Sequence, residues 1–160
     1  MSYETSRGCP FGCTYCEWGG GINSKVSFKP TEYIYEDYDF IFRELKPHFF
    51  NFIDANLGIS ARDVDLVEKL CEHKVATGYP ESVYYFGPSK VKKENVYKID
   101  RLIAKHGMTV DYKISAQDLE SVVNKNIDRT DDAWESQLEE YKKIRDEYGG
   151  KLRFELIMGL

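Results

Sequence analysis

Three thiols stand within eight residues of one another, in the run Cys9-Pro10-Phe11-Gly12-Cys13-Thr14-Tyr15-Cys16. Three residues separate the first pair and two the second. Thiolates so close on one loop can wrap one face of an iron-sulfur cluster, ligate three of its irons and leave one iron open. An open coordination position is the usual mark of a catalytic rather than a structural metal site. Gly8 and Gly12 are expected to let the backbone turn tightly around the sulfurs and aim amide N–H groups at them, which stabilises a reduced, more negative cluster. Such a loop is built for electron delivery.

Other fates for three cysteines fit less well. A zinc site wants a fourth ligand, and His48 and Cys71 each fall on other elements rather than at finger-like spacing. A ferredoxin-type cluster wants four cysteines, and only Cys71 remains to supply one. Buried core thiols do not gather in a glycine-rich loop, and tight clustering favours metal over disulfide.

The loop must be carried by something. A β-prone segment, Tyr3 to Ser6, leads directly into it, and glycines continue past it at Gly19, Gly20 and Gly21. Strand and helix signals then alternate. Apolar residues at Ile34, Tyr38, Ile41 and Leu45 have helical spacing after a cap at Thr31, and Pro47 ends the pattern. Phe49 to Ile53 reads as a buried strand, closed by Asp54-Ala55-Asn56-Leu57-Gly58. A second helix runs from Ser60 to His73 with Val64, Val67, Leu70 and Cys71 on one face. Val83 to Phe86 is the next strand, and Gly87 to Asn95, with Lys90, Lys92 and Lys93, reads as a solvated loop. A helix then buries Val96, Ile99, Leu102 and Ile103 and stops at Gly107. Strand Thr109 to Ser115, a short helix over Asp118 to Lys125, a long helix through Trp134, Leu138, Tyr141, Ile144 and Tyr148, and a last strand, Leu152 to Met158, complete the series.

Five strands separated by amphipathic helices predict parallel βαβ units. The expected fold class is α/β, a partial TIM-type barrel of about five strands, with a doubly wound open sheet as the alternative. In either, sites form at the carboxyl ends of strands, where the cysteine loop lies. Residues 1–160 are expected to form one domain, and an apolar final strand with no helix to cover it suggests part of a larger fold. The net charge of −5, with basic residues scattered among carboxylates, provides no face for a phosphate backbone. No apolar run approaches membrane-spanning length and the first residues lack a signal-peptide stretch, so a cytoplasmic protein is expected.

The segment Glu4 to Cys16 resembles the CxxxCxΦC signature of radical S-adenosylmethionine (SAM) enzymes, with Tyr15 as the aromatic before the last cysteine. The resemblance implies that Cys9, Cys13 and Cys16 hold an oxygen-sensitive [4Fe-4S] cluster whose fourth iron binds SAM. Asp54-Ala55-Asn56 stands where relatives commonly have Gly-Gly-Glu and contact the SAM amino group. Together with Cys16-Glu17-Trp18-Gly19 it is similar to members that carry a cobalamin-binding domain, which would lie outside these residues. Ser115 and Gln117 occupy positions that meet the SAM ribose or carboxylate, and Ile157 and Gly159 resemble the motif that lies against adenine. Tyr15 joins this cofactor-binding set. Each has a plain alternative: Asp54 as a capping or turn residue, Ser115 and Gln117 as turn residues, Ile157 as core.

The implied chemistry is reductive cleavage of SAM to methionine and a 5′-deoxyadenosyl radical, in the service of cobalamin-dependent methyl transfer. The implied partners are SAM, a substrate the sequence does not identify, and a low-potential electron donor such as flavodoxin or ferredoxin. The step needs no acid–base pair, so His48, His73 and His106 read as surface residues, Cys71 as a core thiol and Arg129, beside Asp128 and Asp131, as one half of a surface ion pair. Tyr84, Tyr85 and Tyr112 read as core aromatics. Methylthio transfer would want three further cysteines. The competing classes are a non-catalytic iron-sulfur electron-transfer protein and a structural zinc module.

Overall fold

The computed structural model describes residues 1–18, 24–88, 93–108, 111–129 and 133–159. Expectations for Gly19, Gly20, Gly21, Lys90, Lys92, Thr109 and Asp131 therefore lie outside the described residues. In chain order the elements are β1 (Ser2–Tyr3), β2 (Ser6–Arg7), β3 (Ser27–Phe28), α1 (Thr31–Phe40), β4 (Phe49–Phe52), α2 (Arg62–Thr77), β5 (Ser82–Tyr84), α3 (Glu94–Lys105), β6 (Asp111–Gln117), α4 (Ser121–Asn126), α5 (Trp134–Tyr148) and β7 (Lys151–Leu156).

All five expected strands form, and all pair in parallel, but in two sheets. One has the order β1-β4-β5 and the other pairs β6 with β7. This is the α/β arrangement of a partial barrel, with no closed barrel among the described residues. At the break between the sheets, the Lys113 ammonium donates to the Tyr85 carbonyl (2.7 Å). The same ammonium lies 3.4 Å from the Tyr84 ring centroid, a cation–π contact. A side chain thus joins the two sheets where a backbone ladder would otherwise run. Burial takes its pKa down to about 8.

The first sheet rests on an aromatic core. Phe50 and Phe52 of β4 are wholly buried, as are Ile34, Tyr38 and Phe42 beneath them and Leu66, Val67 and Leu70 of α2. Phe50 meets Phe42 at 5.2 Å and Phe52 at 5.1 Å between ring centroids, distances at which tilted and edge contacts add to area burial. Each such ring removed from water contributes about 1.5–3 kcal/mol.

Several boundaries moved. Thr31 is the first helical residue rather than the cap, which is Pro30, and α1 runs on as a π-helical turn over Ile41–Leu45 that leaves Leu45 exposed. Lys46, in the left-handed region (φ 47°), ends it one residue before Pro47. Helix α2 continues to Thr77 because its stop is Gly78 (φ 82°), whose carbonyl accepts from Lys74. His73, in the last turns of α2, is buried rather than superficial; burial lowers its pKa, and its ring lies tilted against that of Phe42 at 5.4 Å between centroids. His48 is exposed beside Glu81 (3.0 Å). Lys93 is buried rather than solvated and donates to Gln137 (2.5 Å). Cys71 is buried as expected, its thiol pushed up to about 12 by desolvation. The antiparallel pair β2 and β3, in which Ser6 faces Phe28, was not anticipated.

Candidate functional site

The cysteine loop leaves β2 through Gly8, whose φ of 110° is the left-handed turn that a glycine supplies without strain. Gly12 does not share that geometry; a Cβ there would meet only Asp128 Oδ2, at an ordinary 3.8 Å. Cys9, Cys13 and Cys16 are all free thiols of intermediate exposure. Two loop amides are turned away from the sulfurs: Cys16 N–H donates to the Cys13 carbonyl (3.0 Å) and Thr14 N–H to the Ile127 carbonyl (3.1 Å). The expected cradle of amides is therefore incomplete at these positions, and the loop is instead tied down to the turn after α4.

The stem of the loop is held by Asp54, which follows β4. Its carboxylate is fully buried and accepts five contacts from two successive residues. Thr5 N–H lies 3.1 and 3.2 Å from its two oxygens and Thr5 Oγ1 lies 2.7 Å from Oδ1. Ser6 N–H and Oγ donate to Oδ1 at 2.5 and 2.8 Å. Charged acceptors make the stronger class of hydrogen bond, so Asp54 neither caps a helix nor makes a turn: it fastens the strand that presents the cysteines. Arg62 supports the same point, donating to the Thr5 carbonyl (3.1 Å). The following loop is held in turn by Asp63, which accepts from the Gly58 (2.9 Å) and Ser60 (3.2 Å) amides.

These pieces enclose one cavity of about 380 Å³, within the range of small-molecule sites. The cysteine loop contributes Cys9, Phe11, Cys13, Tyr15, Cys16 and Trp18; the end of β4 contributes Ile53 and Asp54-Ala55-Asn56; Phe86 and Gly87 follow from β5. The second sheet supplies Ser115, Gln117 and Glu155, and Arg129 completes the lining. The structure thus brings together the three cysteines, Tyr15, Asp54, Ala55, Asn56, Ser115 and Gln117. It does not bring in Ile157 or Gly159. Ile157 is too exposed to be core; its amide donates to the Gln117 carbonyl (2.8 Å) just outside the cavity.

Arg129 is buried rather than superficial. Its guanidinium donates through Nη1 to the Tyr15 hydroxyl (2.5 Å) and through Nη2 to the Ser115 carbonyl (2.6 Å), joining the cysteine loop to the end of β6. Ser115 Oγ donates to Glu155 Oε2 (2.6 Å), extending the chain of contacts to β7. Glu155 had no sequence signal; its only marker was alternation along an apolar strand. Backbone strain gathers here too, since two of the non-glycine residues at positive φ, Gln117 (63°) and Asp128 (52°), lie at or beside the lining, as strained residues do at functional sites.

The lining is chemically suited to a thiolate-ligated cluster and a polar organic ligand. Asn56 is 7% exposed and its Nδ2 has no partner, a buried donor whose desolvation a ligand oxygen would offset. Among the described residues no three His, Cys, Asp or Glu side chains converge on a point for a single ion. A cluster instead distributes its cysteine ligands over separate irons.

This fold is similar to that of solved radical S-adenosylmethionine methyltransferases and cobalamin-dependent SAM radical enzymes. The particular relatives agree with it in sequence. The chain is 29% identical over 161 residues to 2-(S-pantetheinyl)-carbapenam-3-carboxylate methyltransferase of Streptantibioticus cattleyicolor and 27% identical over 161 residues to the cobalamin-dependent radical SAM methyltransferase TokK of Streptomyces tokunonensis. Both alignments take in 99% of this chain, so the resemblance runs from end to end, but only 23% of the relative. Among solved structures, the radical SAM methyltransferase TsrM of Kitasatospora setae, with cobalamin and a [4Fe-4S] cluster bound, superposes with a TM-score of 0.76 at 14% identity, covering 99% of this chain and 31% of that one. The cobalamin-dependent SAM radical enzyme OxsB, with aqua-cobalamin bound, gives 0.63 at 19% identity, covering 98% and 23%. No known protein-family model matches the chain. It spans about a quarter of the length of the curated relatives it matches.

Proposed function

We propose that the chain is the cluster- and SAM-binding core of a radical SAM methyltransferase of the cobalamin-associated type. The observation that carries this reading is the meeting, around one cavity, of three free thiols from a single loop with polar groups from the ends of β4 and β6. In it, Cys9, Cys13 and Cys16 ligate three irons of a [4Fe-4S] cluster and leave the fourth to SAM. A cluster held there would supply the electron for reductive cleavage of SAM.

The chain's own residues bind, orient and shield. Asp54 fixes the strand from which the cysteines project. Asn56 Nδ2, which has no partner in the fold, would donate to an oxygen of SAM, and the Ala55 backbone, Ser115 and Gln117 would border its ribose and methionine ends. Ile157 and Gly159, just past β7, are the proposed adenine side. Phe11, Trp18, Ile53 and Phe86 form the apolar part of the lining and limit water around a reactive intermediate. Cobalamin and the methyl acceptor belong to parts beyond these residues, as does docking of a low-potential donor such as flavodoxin or ferredoxin. No helix among the described residues is long and apolar enough to cross a membrane.

Anaerobic reconstitution with iron and sulfide, followed by electron paramagnetic resonance of the dithionite-reduced protein with and without SAM, tests the reading. A [4Fe-4S] signal that shifts on adding SAM is expected. A cluster signal indifferent to SAM would favour a closed electron-transfer site, and bound zinc with no cluster would refute both.

A further inference from the structure

Along β6 the side chains alternate. Tyr112, Ile114 and Ala116 are buried, while Ser115 and Gln117 line the large cavity. Lys113 shares the face of Ser115 and stands two residues, roughly 7 Å, before it on the strand. There it borders a second, smaller cavity of about 50 Å³, whose lining has Phe86, Gly87 and Ser115 in common with the first. That is room for one carboxylate, or for about two waters at ~30 Å³ each. The Lys113 ammonium touches a carbonyl and two rings: it donates to Tyr85 (2.7 Å) and lies 3.4 and 5.0 Å from the ring centroids of Tyr84 and Phe86. An ammonium carries three donors, and among the described residues none of these reaches a carboxylate. The carboxylates nearby are engaged elsewhere. Asp111 pairs with Arg153 (2.5 Å), Glu155 accepts from Ser115 (2.6 Å), and Asp100 accepts from Tyr85 (2.7 Å) with its pKa raised to about 7 by burial. Lys93, which donates to Gln137 (2.5 Å), also lines the space. At and below neutral pH the small cavity is therefore cationic.

We propose that Lys113 anchors a carboxylate of the methyl acceptor in this side cavity, entered from the large cavity past Phe86, Gly87 and Ser115. That the anion belongs to the acceptor rests on the function proposed above. The physics lies in the unpaired charge. A half-buried ammonium without a counter-ion leaves part of its desolvation uncompensated, and burial has already taken its pKa down to about 8. A carboxylate supplies the missing charge through a charge-assisted hydrogen bond. The volume favours that small planar group over a phosphate or sulfate. Pinned at its charged end, the acceptor would lay its apolar remainder against Ile53 and Phe86, in the cavity that the three thiols line. Such fixing of one end is how a site orients a substrate for reaction.

Acetate is the probe. It is exchanged for chloride at constant ionic strength in the isotope-labelled full chain, as wild type, Lys113→Met and Lys113→Arg, and followed by amide chemical shifts. In the wild type the Gly87, Lys113 and Ser115 amides should move together and saturate. Lys113→Met should weaken acetate by about tenfold or more, the worth of a hydrogen bond to a charged group, and Lys113→Arg should keep saturable binding. Because Lys113 also ties the two sheets, far-ultraviolet circular dichroism checks each variant; should Lys113→Met unfold, the wild type decides against acetamide, a neutral probe of the same shape. Shifts that never saturate, that survive Lys113→Met, or that acetamide reproduces would overturn the anion site. Saturation by chloride alone would mean an adventitious ion only, and would overturn it too. A second arm repeats the titration on the chain reconstituted with iron, sulfide and SAM, with binding read from the line width of labelled acetate. Acetate retained beside SAM supports an acceptor carboxylate. Acetate displaced by SAM would assign the anion to the methionine end of SAM instead and overturn the acceptor assignment. A chain that binds acetate through Lys113 but takes up no cluster would remove the function proposed above, and with it the acceptor, while leaving the anion site.

Discussion

The two parallel sheets differ in what holds them. In the first, Phe50 and Phe52 of β4 are fully buried on an aromatic core. In the second, Tyr112 and Ile114 of β6 are buried, but Phe154 and Leu156 of β7 are 41% and 53% exposed; β7 is held by its parallel ladder with β6 and by polar contacts from Ser115 to Glu155 and Arg153 to Asp111, while Lys113 ties β6 to the carbonyl of Tyr85. The thiols hang from the well-packed half, while Arg129, Ser115, Gln117 and Glu155 reach them from the other. A site assembled this way takes its thiols from one sheet and its polar partners from the other.

Core truncations provide the sharpest way to break that contrast. Phe50→Ala should cost about 3–5 kcal/mol of unfolding free energy in urea denaturation, whereas Leu156→Ala should cost under about 1 kcal/mol; similar losses would mean that the halves are equally packed. Asp54→Ala strips acceptors from two amides and two hydroxyls at once. It should lose about 3 kcal/mol, with faster hydrogen exchange at Thr5 and Ser6 than at β5.

Acidity probes the joint between the halves. Asp100, buried beside the Tyr85 hydroxyl (2.7 Å), has a pKa raised to about 7 by desolvation. A carboxyl that holds its proton more tightly when folded contributes stability that is complete below its ordinary pKa and is lost as pH rises through about 7. Thermal unfolding followed between pH 4 and 8 should show a decline on the order of 4 kcal/mol, and Asp100→Asn should flatten it. The smallest effect belongs to the surface: Arg153→Ala, which breaks the pair with Asp111, should cost about 0.5 kcal/mol and leave the first sheet's exchange rates untouched.

What could be read in advance follows the range of the interactions. Helices α2 and α3 were legible because their buried residues recur at helical spacing, and the cysteine loop because its thiols are local in sequence. Strands β2 and β3 have two residues each, too short for any alternation to register. The burial of His73 left no trace in the apolar spacing, because it depends on Tyr38 and Phe42 packing against its ring from another helix. Arg129 looked superficial because its neighbours Asp128 and Asp131 are acidic, while its partner Tyr15 is 114 positions away. Asp54 was placed at the site on resemblance, yet its function in the fold, receiving Thr5 and Ser6 from 49 and 48 positions away, had no local trace.

That carboxylate also constrains which sequences can vary together. Because Asp54 takes an amide and a hydroxyl from each of two adjacent residues, positions 5 and 6 are coupled to it as a triplet. Inheritance can change any one of the three cheaply only if the others change with it. The hydroxyl pair ending three residues before the first cysteine and the acid after the second parallel strand are thus one unit spelled in two distant places of the chain.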